Sequence, residues 1–141
     1  MKTALMLTAL FLTTVLAPAA DKKPVVPEVA HSPYEALSAV TTFSIGGVGV
    51  AGTISPMEKD FRALLMEPDA VMKCQKLCTE ATPEGKMYGL LGLKLKDEAA
   101  FTAALANFKD SKTSLREQSG CIMGTTTMGE LAANIAKGSY K

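Results

Sequence analysis

The residues of this chain with the widest chemical reach are its three cysteines, Cys74, Cys78 and Cys121. A thiol can close a disulfide, exchange one as a thiolate, or hold a soft ion such as Cu(I). Cys74 and Cys78 stand one helical turn apart on an apolar stripe, a spacing that gives poor disulfide geometry within a regular helix. The pairing expected is therefore Cys78 with Cys121, because the backbone can adjust at the end of a helix, with Cys74 as the alternative partner. Closing that loop of about 44 residues would constrain the unfolded chain by roughly 4 kcal/mol in the entropy model. A redox site would prefer an exposed thiol in Cys-x-x-Cys, whereas this spacing is Cys-x-x-x-Cys. A Cu(I) site would use the three cysteines with Met72 or Met123, but Met57 and Met87 fall at helix core positions, so most methionines read as packing.

Other chemistry is thinly represented. His31 is the one histidine, and it sits in a proline-containing arm, where no third group would orient it as a base. Glu35, Glu58, Glu84, Glu98 and Glu130 all fall in first turns of expected helices, where capping and the helix dipole account for them. Gly47-x-Gly49-x-x-Gly52 spells the dinucleotide fingerprint. Its context differs, since the next helix is capped only at Ser55 and the segment before it reads as helix rather than strand. No catalytic residue, metal site or cofactor is assigned.

The elements that would carry these residues begin after an export segment. Lys2 precedes an uncharged, apolar run from Thr3 to Leu16, and small residues at Ala17, Ala19 and Ala20 form an A-x-A-type site before charge resumes at Asp21. This is the pattern of a cleavable signal peptide over residues 1–20, cut after Ala19 or Ala20. The run is shorter than a bilayer crossing needs, and no later segment is long and apolar enough to span. Residues 21–32, with Pro24 and Pro27, read as a linker or arm.

Residues 33–141 read as one helical domain. Ser32, Ser55 and Thr127 are each followed three residues later by Glu, the capping-box pattern, and Pro33 and Pro56 occupy first helical positions. Apolar residues recur at helical spacing in Met57, Phe61, Leu64 and Leu65, in Ala70, Cys74, Leu77 and Cys78, and in Phe101, Leu105 and Phe108. Met87 to Leu95 is apolar on more than one face, which predicts a central helix. Helices are expected near 33–42, 56–66, 69–80, 83–96, 98–109 and 128–137. The fold class expected is all-α, a small compact bundle of five or six short antiparallel helices, with a glycine-rich extended or hairpin segment near 43–54.

Charge narrows the function classes. Fifteen Lys and Arg face 14 Asp and Glu, with the signs interspersed, which argues against a nucleic-acid surface. The expectation is an exported protein, secreted or periplasmic, that acts by contact with a protein partner of unknown identity. The candidate interaction segment holds Phe43, Ile45, Val48 and Val50. The alternative is a thiol-redox or Cu(I)-handling protein using Cys74, Cys78 and Cys121.

Overall fold

The computed structural model describes residues 31–140. The expected signal peptide, and all of the arm except His31 and Ser32, lie outside the described residues. The elements run α1 (Pro33–Ser38), β1 (Phe43–Val48), β2 (Thr53–Ile54), α2 (Pro56–Met66), α3 (Ala70–Glu80), α4 (Pro83–Lys96), α5 (Glu98–Leu105), β3 (Ser114–Gly120), β4 (Ile122–Thr127) and α6 (Met128–Ala136). The strands form one sheet in the order β2-β1-β3-β4, with β1 and β3 parallel and the two outer pairs antiparallel. The all-α expectation is thereby overturned, because the described residues form an α/β fold of six helices and a four-stranded mixed sheet.

The helix starts follow from their caps. The Ser55 side chain accepts from the Glu58 amide, that of Thr82 from Gly85, and that of Asp97 from Ala100. Thr127 and Glu130 complete the reciprocal capping box. Ser32 makes no such bond, and α1 stops at Ser38, short of the expected end at 42. Ala39 to Thr42 instead lead the chain into β1, where Phe43 enters the core between Tyr88, at 4.7 Å, and Tyr140, at 5.4 Å between ring centroids.

The helix α4 is central, as its all-round apolar character predicts. Met87, Tyr88, Leu90, Leu91 and Leu93 are all buried, and Phe61, Leu64, Cys74, Leu77, Phe101, Leu131 and Ile135 join them from the surrounding helices. Gly89 lets α3 lie directly on α4. A Cβ there would stand 2.7 Å from the Cys74 carbonyl oxygen and 2.8 Å from Leu77 Cβ, closer than atoms pack in a protein interior.

The sheet is missing from the sequence reading because its strands lack the usual pattern. Leu115 is the one fully buried apolar side chain of β3, which otherwise reads Ser-x-Arg-Glu-Gln-Ser-Gly. The glycine-rich segment, expected as extended or a hairpin, forms a hairpin. Val48 pairs with Thr53, and residues 49–52 turn between them. A bulge interrupts the β1–β3 ladder between Ser44 and Val48. Gly46 sits there at φ +94°, a conformation that side-chain-bearing residues rarely adopt.

Candidate functional site

Because β1 and β3 run parallel, their two hairpin turns emerge at the same end of the sheet. The Gly49 amide donates to the Gly120 carbonyl at 3.0 Å, joining the β1–β2 turn to the β3–β4 turn. The second turn is tight, since Ser119 pairs with Ile122, and Gly120 at φ +58° takes the first central position of this two-residue hairpin turn. The joined turns carry apolar side chains outward. Val50 is 100% exposed, Ile122 75% and Met123 56%, with Ile54 and Cys121 also exposed. From Phe43 to Ser55 and from Gln118 to Gly129 the sequence contains no charged residue. An uncharged apolar surface of this kind marks a place of contact more often than a bare surface.

The two edges of the sheet are treated differently. The short β2 pairs with β1 only at Gly47 and Val48, so on that side, among the described residues, no strand lies beside the backbone of Ser44 and Gly46. Buried side chains from the helices take those groups. Tyr88 Oη accepts from the Ser44 amide and donates to the Ser44 carbonyl, both at 2.9 Å. Glu58 Oε2 accepts from the Gly46 amide at 2.8 Å, while Arg62 donates twice to Glu58 Oε1, at 2.9 and 2.6 Å. Near the start of β3, before its pairing with β1 begins, Glu84 Oε1 accepts from the Arg116 amide at 3.0 Å. At the opposite edge β4 is exposed from Ile122 to Thr125, and among the described residues no strand covers it.

The candidate residues therefore scatter. Phe43 is fully buried and serves the core, Ile45 and Val48 are half-buried, and Val50 alone of the four stands free in solvent. Ile122 and Met123 belong to the same surface and escaped the sequence reading. The signal that could have found them is Gly120 followed by an uncharged, threonine-rich run, which is hairpin and strand chemistry.

The expected disulfide is corrected: all three cysteines are free. Cys78 Sγ lies 3.9 Å from the Lys86 carbonyl, against α4, whereas Cys121 occupies the exposed turn at the end of the sheet. Cys74, the alternative partner, is buried in the core. Burial pushes the Cys74 thiol up to about 11 and the Cys78 thiol up to about 12. Both are protonated at neutral pH, the form least suited to exchange or metal binding. Among the described residues no three His, Cys, Asp or Glu side chains gather in a metal-holding group, and no helix is long and apolar enough to cross a membrane.

The openings near the carboxylates are built for packing. A cavity of about 90 Å³ between β1, α2 and α4 is lined by Ile45, Phe61, Leu65, Leu91 and Leu95, well below the few hundred Å³ of a typical small-molecule site. Glu58 at its wall is committed to Gly46 and Arg62. A broader cleft of about 540 Å³ runs past Thr41, Glu84 and Arg116, and there Glu84 is committed to the Arg116 amide. His31 is exposed, with its ring 3.5 Å from Asp60. Compared with known proteins, the chain matches no family model, no characterised relative and no solved structure.

Proposed function

We propose that this is an exported, non-enzymatic contact protein that engages a protein partner through the uncharged end of its sheet. The observation that carries the reading is the Gly49–Gly120 hydrogen bond, which ties two apolar turns into one surface. A fold that only needed to be stable in water would not gain by exposing Val50, Ile122 and Met123 together, since each costs solvation that a polar residue would avoid. The polar side chains with the strongest claim to chemistry, Glu58, Glu84 and Tyr88, are already spent on backbone groups. Export rests on residues 1–20 alone. The thiol and Cu(I) alternative draws little support from one buried and one half-buried thiol, both protonated, and a third in a turn.

The test is site-specific photocrosslinking in the producing cells. A crosslinker at position 122 is expected to yield a discrete protein adduct, and one at the exposed position 63 on α2 none. No adduct at 122, or the same adducts from both positions, would overturn the reading.

A further inference from the structure

We infer that β4 is a self-pairing strand, which binds β4 of a second copy antiparallel about a two-fold axis near Gly124 and joins two four-stranded sheets into one of eight strands. This deepens the contact reading and rests on it, naming the partner as the chain itself.

The inference begins with the contrast between the two edges. Exposed strand edges invite pairing, and proteins commonly blunt them by shortening the strand, adding Lys or Pro, or covering the edge. At the β1 edge this chain does so: β2 has two residues, and Tyr88 and Glu58 occupy the backbone groups beyond it. At the β4 edge none of these devices is present among the described residues. The strand is six residues long, reads Ile-Met-Gly-Thr-Thr-Thr, and contains no charge and no proline. Alternate residues of an antiparallel edge strand turn their N–H and C=O groups away from the neighbour already bound, and only another strand satisfies that row. A lipid surface offers no such ladder.

The choice of a second copy follows from charge and symmetry. A charged partner strand finds no counter-charge along β4, whereas β4 placed against itself opposes no like charges. Centred on Gly124, the pairing sets Met123 opposite Thr125 and Ile122 opposite Thr126, apolar or β-branched residues that suit cross-strand contact. Gly124 brings no side chain to the axis, and the space where its Cβ would lie is open. A two-fold pairing also consumes the edge. Since the β1 edge is blocked, assembly closes at two copies.

The test is sedimentation equilibrium on the purified full chain over a wide concentration range, with hydrogen exchange on the same samples. The expected result is a monomer–dimer equilibrium, with amide protection in β4 that rises with concentration. Met123→Lys and Thr125→Lys, each of which sets charge beside charge across the axis, are expected to weaken the dimer by at least about tenfold. Met72→Lys, the same kind of change at an exposed position on α3, should leave it unaltered. A monomer at every concentration, assembly beyond the dimer, or a dimer indifferent to both β4 variants would overturn the proposal. If the lysine variants fail to fold, concentration-independent exchange of β4 in the unmodified chain overturns it equally. A monomer that still gives a crosslinked adduct to a different protein from position 122 removes self-pairing and leaves the contact reading standing; no adduct removes both.

Discussion

Tyr88 Oη makes two hydrogen bonds to one residue, accepting from the Ser44 amide and donating to the Ser44 carbonyl at 2.9 Å each. A single helix side chain thus stands in for a missing strand. Burial raises the Tyr88 hydroxyl above its ordinary value, so it remains a donor throughout the neutral range. Tyr88→Phe keeps the ring between Phe43 and Phe61 but leaves both Ser44 groups buried without partners. The expected loss is about 2–3 kcal/mol of stability, read as a lower denaturant midpoint at unchanged slope. A loss below the usual scatter of surface substitutions would show that water reaches this edge.

Glu58 extends the same edge. Its side chain is 2% exposed, whereas that of its partner Arg62 is 60% exposed. An ion pair with one exposed member ordinarily contributes little. Here, removal of Arg62 strands a buried carboxylate that retains the Gly46 amide as its remaining side-chain partner. Arg62→Ala is expected to cost about 2–3 kcal/mol, and much less in a Glu58→Gln background. A double-mutant cycle measures this, and additivity would contradict the assignment.

Gly89→Ala tests the contact of α3 with α4. Alanine favours a helix over glycine by about 1 kcal/mol, so an isolated α4 would gain. In the protein the added methyl would press on the Cys74 carbonyl and Leu77. Net destabilisation of about 2 kcal/mol is expected, seen as a lower thermal midpoint. Stabilisation would mean that the two helices can part without loss.

The cysteines should separate by reactivity and by pH. Cys121 is exposed and should react first with a thiol reagent, half-buried Cys78 more slowly, and buried Cys74 only at the rate of local unfolding. The neutral forms of Cys74 and Cys78 stabilise the fold fully below the ordinary thiol value of 9.0, because the folded values are raised to about 11 and about 12. That contribution is lost as pH rises from 9.0 through those values. The unfolding midpoint should therefore fall in this alkaline window, and fall less steeply when both are replaced by Ala. Three thiols of equal reactivity in the native protein would refute the placement.

Helix starts were readable residue by residue. Thr127 with Glu130 predicts its own capping box, and Ser55 its own cap, because a cap is a contact between neighbours three residues apart. The central position of α4 was readable too, since apolar residues on every face leave no side for water. Glu58 shows where such reading stops. Its position three residues after Ser55 predicts a bond back to the cap, yet its carboxylate reaches the Gly46 amide twelve residues earlier. Only a strand lying across the helix start creates that demand.

What the sequence determined by itself was local: the six described helices, each start and four of the six ends to within one residue, a glycine-rich extended or hairpin segment near 43–54, and a core running through Phe61, Leu77, Leu91 and Leu131. The tertiary structure decided the sheet, and with it the fate of the cysteines and the surface that faces a partner. The physical reason lies in β3 and β4. With Leu115 as the sole fully buried side chain between them, these strands bury too little to show a period. β4 is held by backbone bonds to β3, and β3 by backbone bonds to β1, about 70 residues earlier in the chain, a pairing that no local pattern of side chains records.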